Sequence, residues 1–435
     1  MKTVLLLVLG SLLLSTPLLA APPAPAIPPS VSTMQKPLDP AAATRAWLDT
    51  VPEEKRVQSD AYFEGGYWLI LWNFLLGAAI AIFFLASGLS ARLRDFAERL
   101  TRSKILQPAI YVVPYVLIAY LLSFPLLVYT GFFREHAYGL ANQSFGPWFG
   151  EQLIDLVLEV VLSGLLMMAL YAVLRRAPRT WWLWGSGLGF LFLALQMMIA
   201  PVLIAPLFNK YKPLADPKIS QPILAMANAN QIPVHQVFEV DASRQSKRVS
   251  ANVSGLFGTT RISLNDNLLK QCTLPEIRAV MAHEMGHYVL NHSFKLILYF
   301  TLFIGGAFAF SFLFFEGAIR RWGARWRVRG IADPAGLPLL VLLFSVYFFL
   351  LTPLANTAVR VTEREADAFG INTAREADGF AMVALKLGTY RKLDPGPLEE
   401  MVFFDHPSGR ARIRMAMDWK AANLPAGDAG QVTSR

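Results

Sequence analysis

The sequence holds a single cysteine, Cys272, in 435 residues, and only 6 histidines. One thiol excludes an intrachain disulfide framework and, by itself, any cysteine-built metal cluster. Charge is scarce as well, at 16% of residues against 54% hydrophobic, and the mean hydropathy is +0.41. So apolar a chain is not an ordinary soluble enzyme, and its length leaves room for several membrane spans. The net charge of +9 carries no nucleic-acid function, because the basic residues gather in short loops beside apolar runs, where they act as topology signals.

Apolar runs recur at Tyr67 to Leu89, Pro108 to Phe132, Leu153 to Leu174, Trp181 to Phe208, Leu296 to Phe315 and Leu337 to Leu354. Each is about long enough for a hydrocarbon core of roughly 30 Å. Pro114, Pro125, Pro201 and Pro206 should kink the spans that contain them. At the start, Lys2, the run Val4 to Leu14 and Ala20-Ala21 read as a signal peptide over 1–21, with an uncleaved first transmembrane helix as the alternative. The domain reading is then a linker and extramembrane segment at 22–66, four membrane helices at 67–208, a hydrophilic block at 209–293, two more helices at 294–356 and a C-terminal part at 357–435. Within the hydrophilic block, Val237 to Val240 and Arg261 to Leu264 read as strands and Lys218 to Asn230 as a helix. The expected fold is a mainly α-helical polytopic membrane protein with six or seven transmembrane helices enclosing a chamber.

The block ends in TLPEIRAVMAHEMGHYVLNH, Thr273 to His292. Thr273 followed by Glu276 is a capping box, and Pro275 suits a first helical turn. His283 and His287, four residues apart, project from one helical face and are placed to hold one metal ion. Zinc in a catalytic site keeps a coordination position open to water, and Glu284, beside the pair, is placed to take that water's proton. In a chain this poor in histidine, HExxH arises by accident in roughly 1 of 100 sequences of this length, so it needs context. Downstream, RVTEREADA (Arg360 to Ala368) sets Glu363 and Asp367 on one helical face, as a third ligand and an acceptor that orients a ligating imidazole. Taken alone, this stretch reads as a solvated helix face.

HEMGH, followed by Arg360, Glu363, Ala366 and Asp367 and then by His406-Pro407 with Arg412-Ile413, resembles the integral-membrane zinc endopeptidases that include the type I CAAX prenyl proteases. APLFNKYKPL (Ala205 to Leu214) and RISLNDNLL (Arg261 to Leu269) are similar too, so the resemblance runs from about residue 45 to 420. It implies a gluzincin-like zinc protease domain containing a small β-sheet, with one Zn2+ on His283, His287 and Glu363. It also implies that His406 stabilises an oxyanion and that Arg412 belongs to the site. Ser250 to Gly255 resembles the family's substrate-pairing edge strand, with Ser250 and Asn252 where the family usually has Asn and an aromatic; backbone pairing would survive that departure. His292 matches a family position without a derived role, and His136 and His235 read as structural or solvent-facing.

The function expected is zinc-dependent hydrolysis of membrane-associated or exported polypeptides, including prenylated CAAX-type ones, by a protein partnered by membrane lipid. Two alternatives stand beside it. An intramembrane site-2-type protease would carry HExxH within a span and an LDG motif, and no LDG occurs. A catalytically silent scaffold would retain the fold without needing Glu284 and all three ligands. Basic residues cluster in alternate interhelical loops, while Gly131 to Gly150 has only Arg134. The expected location is therefore a bacterial inner membrane with the site facing the periplasm.

Overall fold

The computed structural model describes residues 38–255 and 260–423, so the expected signal peptide at 1–21 lies outside the described residues. The first helix, α1 (Pro40–Asp49), starts where Asp39 accepts from the Ala41 N–H at 2.9 Å and a proline opens the turn. There follow α2 (Glu53–Ala86), the amphipathic α3 (Leu89–Leu100), α4 (Leu106–Ala137), α5 (Phe145–Arg176) and α6 (Trp181–Leu207). A hydrophilic domain comes next, with β1 (Tyr211–Pro213), α7 (Pro217–Ala229), β2 (Val237–Val240), β3 (Ala251–Ser254), β4 (Arg261–Asn265), α8 (Asp266–Gln271) and α9 (Leu274–Val289). The chain returns through α10 (His292–Trp326) and α11 (Leu337–Ala374), and ends in α12 (Ala377–Leu387), α13 (Pro397–Phe403) and α14 (Gly409–Asn423).

Six of these helices, α2, α4, α5, α6, α10 and α11, are long and apolar enough to cross a membrane. Their outward side chains are large and apolar: Leu313 is 71% exposed and Leu350 69%. Such a surface is stable only against lipid. The inward faces pack around Tyr171, Leu174, Trp181, Phe308 and Phe315. Near Pro125 and at Pro201 the helical ladder widens into π turns, at Tyr129–Phe133 and Ala200–Ile204, which accommodates prolines within a span.

Three helices outrun their apolar stretches. α2 begins at Glu53, fourteen residues before the apolar run at Tyr67, because polar side chains on its first turns find partners: Tyr62 donates to Glu135 at 2.6 Å and Tyr67 to Glu399 at 2.7 Å. α11 continues past Leu354 because Asn356 donates to the Val402 carbonyl and Arg360 to that of Glu400, both at 2.8 Å. The boundaries read at 66/67, 293/294 and 356/357 thus fall inside α2, α10 and α11. The last span and the EREAD stretch are one continuous helix.

The sheet has strand order β1-β2-β4-β3, with β2 and β4 parallel and the outer pairs antiparallel. Its buried face, Val237, Val253, Ile262 and Leu264, packs on Ile223 of α7 and on Ile277, Met281 and Met285 of α9. Burial of one face fixes the register, since a slip of one residue would expose the whole apolar set. β3 is left at the sheet's edge.

The two ends of the helical bundle differ. At one, α3 meets the α10–α11 loop, where Arg94 pairs with Asp333 at 2.7 Å and donates to the Arg327 carbonyl at 2.9 Å. At the other, the loop between α4 and α5 joins the hydrophilic domain through a bridge between Ala141 and Ser246 and the Asn142 N–H to Gln245 O bond at 2.9 Å.

Candidate active site

Local sequence builds α9 and tertiary packing aims it. Glu276 accepts from the Thr273 N–H at 2.6 Å and from Lys386 at 2.7 Å, anchoring the helix start. With Ile277, Met281 and Met285 committed to the sheet, the opposite side of α9 turns His283, Glu284 and His287 toward a cavity of about 570 Å³. Two glycines let α11 cross close by. A Cβ at Gly370 would lie 2.9 Å from the His283 nitrogen, and one at Gly286 would lie 3.2 Å from the Ala366 Cα. Any larger residue at Gly370 would push the helices apart.

The crossing delivers Glu363 to the histidine pair. His283 Nε2 and His287 Nε2 are 3.1 Å apart, and each is 3.4 Å from a Glu363 carboxylate oxygen. The donor atoms of these three residues lie within 4.8 Å of one another. Two imidazole nitrogens and a mostly buried carboxylate converging on one point fit a tetrahedral cation with a position to spare.

Each of these side chains is held from behind. His283 Nδ1 lies 2.8 Å from Asp367, whose other oxygen accepts from Arg412 Nε at 2.9 Å; Arg412 also reaches Glu363 at 3.2 Å. His287 Nδ1 lies 3.0 Å from His292 Nδ1, and His292 Nε2 lies 2.9 Å from Glu365. If His287 offers Nε2 to a cation, its Nδ1–H donates to His292, which must then donate through Nε2 to Glu365. The sequence assigned His292 no role, and this relay supplies one. His406 sits 3.4 Å from Glu363 through Nε2 and 2.8 Å from Asp405 through Nδ1. Arg360 holds the segment before His406 by its bonds to the Glu400 and Phe404 carbonyls.

Burial works against a charged His283, but Asp367 and Glu363 outweigh it and raise that imidazole to about 10. Burial dominates at His287 and lowers it to about 3. At Glu284 burial again dominates, raising the carboxyl to about 7 against the pull of His283. A carboxyl near neutrality can both take and return a proton, and a bound dication would draw it lower.

β3 runs along the cavity wall. Ser250 and Asn252 are exposed there, whereas Gly255, at φ 109° just beyond the strand, does not line it. The far wall comes from the spans, through Met197, Pro201 and Leu296. His136, which faces the Phe132 carbonyl at 2.8 Å, and the exposed His235 stand apart from the cavity. Asp405, Glu365 and Arg391 belong to the site region although no sequence motif singled them out; Asp405 and Glu365 stand beside His406 and Glu363 in the chain, and Arg391 carries no sequence signal.

Two family models match. One, described as CAAX prenyl protease N-terminal, five membrane helices, covers residues 40–210, where four of the six spanning helices lie; the other, peptidase family M48, covers 213–420. An uncharacterized metalloprotease of Bacillus subtilis is 31% identical over 344 residues, 78% of this chain and 80% of the relative. CAAX prenyl protease 1 of Saccharomyces cerevisiae is 27% identical, with 69% of each chain covered, and its Arabidopsis thaliana homolog is 28% identical, with 67% and 68% covered. The crystal structure of S. mikatae Ste24p superposes with a TM-score of 0.69 over 87% of this chain and 94% of that one, at 21% identity, and so shares the fold.

Proposed function

The chain belongs to peptidase family M48, joined to a CAAX prenyl protease N-terminal membrane region, and on that premise we propose that it is a zinc endopeptidase using His283, His287, Glu363, Glu284 and His406. Metallopeptidase activity and membrane integration come with the family and its six spanning helices. The observation that carries the finer reading is the convergence of two imidazoles and a carboxylate beside Glu284 in a cavity walled by an edge strand.

Zinc held by His283, His287 and Glu363 would supply a Lewis acid for water and for the scissile carbonyl. Glu284 takes the proton of the attacking water on its carboxylate and delivers it to the departing amine. His406, oriented by Asp405 at 2.8 Å, donates from Nε2 to the oxyanion. Arg412 fixes the carboxylates of Glu363 and Asp367 and so keeps His283 in its ligating tautomer. A substrate adds as a further strand beside β3 at Ser250 to Ser254, which orders its backbone before reaction.

The substrates are polypeptides at the membrane surface, among them the CAAX-type ends for which the eukaryotic relatives are named. The basic loops support a periplasmic site in a bacterial inner membrane. Arg94, Arg327 and Arg329 lie together at the bundle end away from the cavity, with Arg329 paired to Glu98 at 2.7 Å. The basic end takes the cytoplasmic side. A reporter active only outside the cytoplasm should work when fused after Arg435, and one active only within it should not. For the chemistry, purified protein should cleave peptides, lose that activity to a chelator and regain it with zinc; cleavage indifferent to chelation would end the proposal.

A further inference from the structure

Around the cavity the guanidinium groups are accounted for, with one exception. Arg412 pairs with Asp367 and Glu363, Arg360 caps two carbonyls, and Arg248 pairs with Glu135 at 2.8 Å. Arg391 lines the cavity beside His406 and Arg412, yet among the described residues it has no hydrogen bond and no ion pair. The carboxylate with the largest pull on it is Asp405, which is already engaged by His406 Nδ1 at 2.8 Å. Burial, and next the neighbouring Arg412, push Arg391 below the usual range for arginine. Asp405 and Glu363 thus attract Arg391 from a distance, without a hydrogen bond, and its N–H donors are left facing the cavity. An anionic ligand would take them.

The approach to Arg391 is apolar. Phe380, Val383, Ala384 and Leu387 present one face of α12 to the cavity, at the spacing of successive helical turns, and Arg391 lines the same cavity from the loop four residues past the helix end. An extended peptide paired with β3 would slide its side chains along this face and meet the guanidinium at the end. Arginine's planar fork matches a carboxylate at two points.

We propose that Arg391 is a specificity-determining residue that binds a carboxylate of the peptide substrate, favouring substrates with an anion at that end of the cleft. The inference rests on the peptidase reading above. The carboxylate has two sources, a free peptide C-terminus or a Glu or Asp side chain, and the chemistry of recognition is the same for both.

The test uses two pairs of peptides with the full-length, metal-loaded protein. One pair ends in a free carboxylate or an amide; the other carries Glu or Gln at one internal position. Wild-type protein should show a KM about tenfold lower for the carboxylate member of one pair, with kcat unchanged. The pair that separates identifies the source. Arg391→Gln should erase that preference while turning over the neutral members as wild type does. Should that variant fail to fold, Arg391→Lys serves, where the preference must narrow because an ammonium meets a carboxylate at one point. Equal KM values within both pairs for wild type, or an undiminished preference in the variants, would overturn the assignment. The same peptides are also bound to Glu284→Gln protein and followed by fluorescence anisotropy. A carboxylate preference in binding without any cleavage by wild type would keep Arg391's assignment and sink the peptidase reading.

Discussion

Two buried arginine–aspartate pairs sit in opposite halves of this molecule, built alike and put to different ends. Arg94 and Asp333 meet at 2.7 Å with side chains 6% and 4% exposed; Arg412 and Asp367 meet at 2.9 Å with 9% and 1%. At the first, the surrounding groups are satisfied inside the protein: Arg94 also holds Asp95 and the Arg327 carbonyl, and Asp333 accepts from the Arg329 and Ala335 N–H groups. Nothing is left over, and the pair ties two loops together. At the second, Asp367 passes its second contact to His283, and Arg412 passes its own to Glu363. A buried ion pair is therefore no mark of a site. What distinguishes the second is that the histidine and the carboxylate it holds open on a cavity.

The largest break in that contrast comes from Glu363, the proposed third ligand. Glu363→Ala removes the carboxylate facing both imidazoles, and metal per chain should fall from about one to near zero by elemental analysis. Full metal occupancy in that protein would refute the ligand set.

The two aspartates give the sharpest comparison. Asp367→Asn should weaken metal binding by about 10- to 100-fold, since His283 loses the acceptor that orients it. Asp333→Asn should leave metal affinity alone and lower thermal stability by about 1–3 kcal/mol, because Arg94 stays buried with one of its two counterions gone. Both variants lose stability where a buried arginine loses a counterion, so metal titration separates the roles, and an equal loss of metal affinity in both would dissolve the distinction.

A smaller effect is expected at His292. His292→Phe keeps the bulk but removes the acceptor for His287 Nδ1, so metal affinity should drop by about tenfold, the low end for groups behind a ligand. Unchanged affinity would reduce His292 to packing.

The last effect is in protons. With His283 raised to about 10, that imidazole is protonated at neutral pH and must give up a proton to bind a cation. Metal affinity should therefore rise by about tenfold per pH unit below 10 and fall as pH is lowered. Calorimetry in buffers of different ionisation enthalpy should count between about one and two protons released per metal near pH 7, one from His283 and a fraction from Glu284 as the dication draws it lower.

What the sequence made legible was whatever is local. The six apolar runs, the capping box at Thr273 and Glu276, and the i, i+4 spacings at His283 and Glu363 all follow from the periods of helices and the thickness of a bilayer. What stayed hidden joins residues distant along the chain. Glu365 reaches His292 across 73 positions, and Arg412 reaches Asp367 across 45. The continuity of α11 was hidden for a related reason: hydropathy ends at Leu354, but Asn356 and Arg360 are satisfied by carbonyls 46 and 40 residues later. The His406 and Arg412 roles came from resemblance, and no spacing rule would have linked them to the histidine pair. Arg391 belongs to no motif at all, and only the absence of a partner in the folded chain draws notice to it.

The central claim is that Glu284 is the proton acceptor of a metal-dependent hydrolysis, and Glu284→Gln tests it with little change of shape. The variant should purify with the same metal content as wild type and cleave peptide about 10³-fold more slowly. Near-normal turnover at full metal occupancy would contradict the account.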